Sequence, residues 1–191
     1  MACEFSGVVR DAFVRHGHDA VSCDLLPTES PGPHIQGDVL PHLADGWDLM
    51  IAHPPCTYLS ASGLHWNKRV PGRAAKTEAA LAFVRMLLRA PIPRIALENP
   101  VGCISTRIRP PDQTIQPYWF GHPESKRTCL WLVELPLLRP TNVLPLPPLG
   151  RWDNMTASGQ NRLGPSPDRG KIRSRTYTGI AEAMASQWGR L

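Results

Sequence analysis

Two short apolar runs, each closed by a proline-stiffened polar motif, restrict the folds open to this chain. Residues 47–52 (Trp-Asp-Leu-Met-Ile-Ala) end at His53-Pro54-Pro55-Cys56, and residues 94–97 end at Glu98-Asn99-Pro100. Between them, residues 73–89 place Ala80, Phe83, Val84, Leu87 and Leu88 at the three-four spacing of a helix with one buried face. A buried strand, a helix and a second buried strand at this separation predict a crossover unit. Its strands lie parallel, because the helix carries the chain back to the starting edge.

The flanking segments extend this pattern. Residues 2–5 read as the end of a strand. Ser6 then caps a helix to about His16, with Val9, Ala12 and Phe13 on one side and Gly17 ending it. Few residues precede Cys3, which leaves a truncated start and an unusually short first strand as alternatives. Residues 20–23 form a second strand closed by Asp24, and a loop rich in Pro and Gly leads on to Gly37-Asp38. Residues 113–120 and 128–133 are expected to pair as an antiparallel hairpin across 121–127. The expected architecture is α/β, a mostly parallel sheet with an antiparallel hairpin.

A length of 191 residues predicts one domain with a genuine core. With 42% hydrophobic and 19% charged residues, a disordered tail protein, a coiled coil and a collagen-like repeat are excluded. Proline is over-represented, 21 residues in all, and five fall within 136–148, which predicts an extended segment there. Residues 150–175 are basic and rich in Gly, Asn, Ser and Pro, and read as a long loop; 180–188 read as a closing helix. The expected division is a core over 1–135, a Pro-rich and basic segment over 136–175, and a C-terminal helix over 176–191. No apolar run approaches the ~20 residues of a membrane span, and no signal peptide is visible. The five cysteines are odd in number and scattered without a C-x-x-C pair. Reduced thiols in the cytoplasm are expected, with no disulfide framework and no tetrathiolate zinc site.

Lys plus Arg outnumber Asp plus Glu by 21 to 16, and the excess is uneven. Arg151, Arg162, Arg169, Lys171, Arg173 and Arg175 face only Asp153 and Asp168 within 151–175. Lys68, Arg69, Arg73 and Lys76 form a second patch. Charge at this density suits a polyanion, whose condensed counterions are released on binding. A solvated surface is the commoner meaning of a charge run, and charge alone does not decide between them.

Ligands bind beyond the carboxyl ends of strands in open α/β sheets, so the strand-end motifs are the candidate site. Phe5-Ser6-Gly7 follows the first strand, where a glycine lets the backbone approach a ligand. Asp24 ends the second, where dinucleotide folds place an acid on a ribose hydroxyl. Cys56 follows a stiff Pro-Pro turn at the third. A buried, inert thiol is the usual role of a single cysteine. Here the rigid turn favours a nucleophile, which needs an electropositive, partly exposed setting to ionise. Glu98 at the next strand end is expected to have a pKa raised by burial, and so to donate a proton near neutral pH.

In these motifs and their order, the chain resembles the DNA cytosine-5 methyltransferases over nearly its whole length. Phe5-Ser6-Gly7 resembles the S-adenosylmethionine loop, Asp24 the ribose acid, and Asp38 the residue near the adenine. Pro54-Pro55-Cys56, with Ser60 four residues later, matches the nucleophile motif, and Glu98-Asn99 the Glu-Asn pair. Gly121 and Pro123 match the start of a Gly-x-Pro-Gln-x-Arg-x-Arg element, and 178–188 sit where the last cofactor motif folds back to the first strand. The resemblance implies a Rossmann-like, S-adenosylmethionine-dependent methyltransferase fold. In it Cys56 adds to C6 of cytosine, Glu98 serves N3, Asn99 holds the turn, and Pro54 lies beside the cofactor.

The departures are specific. Val9 and Arg10 stand where glycines are usual. Cys3 stands at the leading acid with Glu4 beside it. Lys126 and Thr128 replace the two arginines, with Arg127 a candidate substitute. An aromatic residue in place of Cys56 would point to amino-group methylation, which is therefore disfavoured. Only residues 129–175 occupy the interval where relatives carry a recognition domain. The implied substrate is DNA cytosine with little or very short sequence context. Ser60, Lys68, Arg69, Arg162, Arg169, Lys171, Arg173 and Arg175 are the expected nucleic-acid contacts. RNA or a free pyrimidine nucleotide as substrate, and an inactive binding module, remain the alternatives.

Overall fold

The computed structural model describes residues 1–158, 161–166 and 168–191. Its strands are β1 (Ser22–Asp24), β2 (His34–Gln36), β3 (Leu49–Ala52), β4 (Arg94–Pro100), β5 (Gln113–Ile115) and β6 (Thr128–Val133). Its α-helices are α1 (Val8–Arg15), α2 (Ala61–Leu64), α3 (Arg73–Leu88), α4 (Ile104–Arg107), α5 (Arg169–Ser174) and α6 (Thr178–Trp188). β1 and β2 pair in parallel, and a four-stranded sheet runs β3-β4-β6-β5. In that sheet β3–β4 is parallel, whereas β4–β6 and β5–β6 are antiparallel.

The sheets are therefore mixed, not mostly parallel. The expected antiparallel pairing forms only in part: β5 ends at Ile115, Pro117–Trp119 turn into a 3-10 helix instead of extending the strand to residue 120, and the second strand lies directly against β4. It pairs there from Ile95↔Val133 to Pro100↔Thr128 and leaves β5 at the rim.

The expected first strand shrinks to one residue. Ala2 bridges in parallel to Cys23 on one side and to Ala52 on the other. Its N–H donates to the Ile51 carbonyl (2.8 Å), and its carbonyl accepts from the His53 N–H (2.9 Å). Cys3 then adopts a left-handed φ of 56°, which turns the backbone out of the sheet. Ala2 thus stands between β1 and β3, and the order reads β2-β1-Ala2-β3-β4-β6-β5. Strand progression reverses at Ala2, so the crevice between Ala2 and β3 is a topological switch point. Residues 3–7 and 53–56 leave the sheet beside it.

Helices cover both faces. On one, Val9, Ala12 and Phe13 of α1 cluster with Ile180, Met184 and Trp188 of α6. On the other, Leu81, Val84 and Leu87 of α3 cluster with Met50, Ile95, Leu97 and Trp131. The buried face of α3 is centred on Thr77, Leu81, Val84 and Leu87, while Ala80, Phe83 and Leu88 are only partly buried.

Gly7, not Ser6, holds the N-cap position of α1, at φ 75°. The free helical N–H groups of Val9 and Arg10 donate to the Glu4 carboxylate at 3.1 and 3.4 Å, and that of Val8 to Ser6 Oγ at 3.3 Å. An acid at this end also complements the helix dipole. Arg10 is fully buried and donates to Ser22 Oγ, Thr28 Oγ1 and the Ser30 carbonyl, fastening the loop after β1.

Residues 136–148 contain no helix or strand; they are tied down where Trp188 donates to the Pro136 carbonyl and Gly121 to the Asn142 carbonyl. The expected long loop over 150–175 holds a short helix, α5, and its positions 159, 160 and 167 lie outside the described residues. No described helix is long and apolar enough to cross a membrane.

Candidate active site

Parallel pairing in register, Ala52 opposite Leu97, delivers the segments after both residues to one end of the sheet. β4 does not stop at Leu97 as expected. Pairing with β6 carries it to Pro100, with Glu98 opposite Leu130 and Asn99 opposite Cys129. Glu98 is therefore held by the sheet rather than by a proline turn. The buried Asn99 side chain donates from Nδ2 to the Pro54 carbonyl at 2.7 Å, fastening the Pro-Pro turn to β4. Beyond Cys56, Cys103 donates to the Leu59 carbonyl and Ala61 to that of Val101, both at 2.9 Å. Gly102 permits this contact: a Cβ there would sit 2.0 Å from the Leu59 carbonyl oxygen.

Cys56 is exposed; of the other cysteines Cys3 is half-buried and Cys23, Cys103 and Cys129 are buried. Its thiol is not activated in the way a nucleophile at an electropositive site is expected to be. Desolvation by the surrounding chain and the Glu98 charge push its pKa up, and Lys126 and Arg173 oppose them only in part. Glu98 is also reversed. Desolvation raises its carboxyl pKa as expected, but the His53 hydrogen bond, the Lys126 charge and the polar Thr128 side chain nearby together outweigh it. The net shift is downward, so Glu98 is a carboxylate in the free protein, an acceptor rather than a donor.

His53 supplies the nearest partner: Nδ1 lies 3.1 Å from Glu98 Oε2, with the two side chains only 7% and 14% exposed. Lys126 is half-buried, and its ammonium donates to the Arg173 carbonyl (2.8 Å) and lies 5.6 Å from the centre of the Tyr177 ring. Arg127 is exposed. Thus Cys56, Glu98, Asn99, Pro54 and Lys126 come together, joined by His53, Thr128 and Tyr177, to which sequence reasoning assigned no role. His53 opens the His53-Pro54-Pro55-Cys56 motif; only pairing with Glu98 reveals what it does.

The residues expected at the cofactor lie around the switch point. Phe5 is buried, and its ring carries the Lys171 ammonium 5.4 Å from its centre. Ser6 donates to Glu4 at 2.9 Å. Asp24 accepts from the Leu26 N–H at 2.9 Å, and burial pushes its pKa up. Asp38 is exposed and accepts from the Leu40 N–H at 3.0 Å.

The basic residues are less free than their sequence implies. Lys171 and Arg175 both pair with Glu29, at 2.9 and 2.8 Å. Arg173 and Arg162 are exposed, and Arg169 is half-buried. Lys68 and Arg69 are exposed; Arg69 lies over Trp66, while Arg73 and Lys76 lie over Tyr58, two residues from Cys56. Ser60 Oγ is 3.3 Å from Ser62 Oγ. A cavity of about 530 Å³ opens at the opposite, amino end of the strands, lined by Met1, Val21, Trp47, Leu49 and Arg94 among others, and includes none of these site residues. Cys56 and Glu98 locate the candidate site by chemistry rather than by cavity size. No protein-family model matches the chain, and no curated protein matches it.

Proposed function

We propose that this chain methylates C5 of cytosine in DNA, with S-adenosylmethionine as donor and Cys56 as covalent nucleophile. One observation carries the proposal: Cys56 and Glu98-Asn99 stand on neighbouring strand ends, cross-fastened by Asn99 to Pro54 and by His53 to Glu98. The strand order supports a Rossmann-like methyltransferase fold, since β2-β1-Ala2-β3-β4 follows the doubly wound order 3-2-1-4-5.

The residues at the switch point fit the cofactor's chemistry. Asp24, a half-buried acid at the end of β1, suits ribose hydroxyls, and Phe5, Asp38 and Pro54 complete the surround. The cofactor supplies an electrophilic methyl group on a sulfonium. The chain must make C5 nucleophilic. An ionised Glu98 accepts a hydrogen bond from the exocyclic amino group, which cytosine has and uracil and thymine lack. As the Cys56 sulfur bonds to C6, the thiol proton leaves it, and electron density moves through the ring to N3, which gains a proton. Glu98, coupled to Cys56 and free to accept, carries that proton from sulfur to N3. Once C5 bears the methyl group, loss of the C5 proton to solvent, departure of the Cys56 sulfur and return of the N3 proton to that sulfur restore the ring and the thiol. In a duplex the base must first leave the stack.

The test is incubation with labelled S-adenosylmethionine and duplex DNA, single-stranded DNA, tRNA or dCMP in parallel, followed by digestion. Labelled 5-methylcytosine is expected from DNA. Label in dCMP or tRNA alone would move the substrate, and no label with cofactor bound would leave a binding module.

A further inference from the structure

We infer that His53 is the positioning residue for Glu98, donating from Nδ1 to Oε2 as the Nδ1–H tautomer and fixing the carboxylate's orientation toward the base. The inference rests on the methyl-transfer reading for its consequence, but its geometry stands on the side chains alone. An ionised carboxylate only accepts, so the contact at 3.1 Å needs its hydrogen on Nδ1. Nε2 is buried with no partner among the described residues. A hydrogen there would be a buried donor without an acceptor, the more costly of the two ways to leave that nitrogen unmet. Tautomer and contact therefore require each other.

The remaining groups around the pair do not replace this bond. Lys126 reaches Glu98 from the segment before β6 by charge, and the Thr128 hydroxyl, which donates to the Lys126 carbonyl at 3.1 Å, lies beside it at the start of β6. The neutral Cys56 thiol lies within reach of the Glu98 charge, and Arg173 acts by charge on Cys56. His53 supplies the largest of the influences that oppose desolvation of the carboxylate. It is mounted rigidly: its own N–H donates to the Ala2 carbonyl at 2.9 Å, and Pro54 follows it. The same residue that closes the switch point thus aims the acid one strand away.

The test combines a spectroscopic and a kinetic readout. In the free protein labelled with ¹⁵N-histidine, His53, assigned by its loss in His53→Asn, is expected to show a protonated Nδ1 and a bare Nε2. A hydrogen on Nε2 overturns the inference whether or not the protein methylates anything. In ¹³C-glutamate protein, the Glu98 carboxyl is expected to titrate at higher pH in His53→Ala, because desolvation is then less opposed. His53→Asn, which offers an amide N–H near the place of Nδ1, is expected to restore it. Methyl transfer should fall at least about tenfold in kcat for His53→Ala and recover in His53→Asn. An unmoved Glu98 titration in folded His53→Ala refutes the positioning role. Absence of transfer in the wild type, with the tautomer as expected, refutes the methylation reading and leaves the local assignment standing.

Discussion

Replacing Glu29 with glutamine tests whether the basic segment meets a polyanion. Glu29 lies 2.9 Å from Lys171 and 2.8 Å from Arg175, and these pairs hold the α5 segment against the turn at Phe5. Glutamine keeps the shape and removes the charge, releasing two cations. On duplex DNA each phosphate neutralised adds about −0.9 to the slope of log affinity against log salt. Two freed cations that both reach phosphates steepen that slope by about 1.8. From 50 to 200 mM salt, the variant should then lose roughly tenfold more affinity than the wild type, and bind tighter at the low-salt end. Folding stability should barely change, since exposed ion pairs contribute ~0–1 kcal/mol. Fluorescence anisotropy of a labelled duplex across a salt series reads the slope. Adding Lys171→Ala should return about half of the increment. Parallel salt lines for wild type and Glu29→Gln would refute the reasoning, because Lys171 and Arg175 would then not meet phosphates.

Three further substitutions probe the site. Cys56→Ala should abolish methyl transfer while leaving cofactor binding, measured by calorimetry, largely intact; equal turnover would end the covalent mechanism. Glu98→Gln should speed alkylation of Cys56 by iodoacetamide near pH 8, followed by mass spectrometry. The Glu98 charge raises the thiol pKa, so removing it lowers that pKa and increases the thiolate fraction at fixed pH. An unchanged rate would mean that the sulfur does not feel the carboxylate. Gly102→Ala should destabilise the fold by about 1–3 kcal/mol in a urea titration, because its Cβ meets backbone that cannot move aside.

Much of the fold was legible where an element carries its own pattern. The spacing over 73–89 marks α3 because burial repeats along one helix, and β3 reads from an uninterrupted apolar run. What escaped depends on partners distant in sequence. β2, His-Ile-Gln, is too short and polar to announce itself; it is a strand because β1 offers it a parallel edge. Glu98-Asn99-Pro100 looks like a strand terminator, and is one until β6 pairs along it; only pairing across some 30 residues of chain makes it strand. The same insertion of β6 turns an expected mostly parallel sheet into one whose four strands are joined mostly by antiparallel pairs. α5, polar and only six residues long, lacks the apolar stripe by which a helix is recognised.

The site divides along the same line. Sequence order identifies Cys56 and Glu98 as strand-end groups, but their ionisation belongs to their neighbours. Burial by itself predicts a raised carboxyl pKa; the fold adds His53 from the turn after β3, and Lys126 and Thr128 from the entry to β6, and reverses the sign. A carboxylate beside an unactivated thiol is a resting arrangement: neither group reacts until something accepts the proton held on sulfur. A pyrimidine whose N3 grows basic as C6 is attacked is such an acceptor. In the proposed reaction the thiol then ionises only when a base is in place, and an exposed Cys56 stays a weak nucleophile toward everything else. On the proposed methyl-transfer reading thiolate formation is thereby coupled to substrate, and the alkylation rate of Glu98→Gln measures how much restraint the Glu98 charge imposes on Cys56.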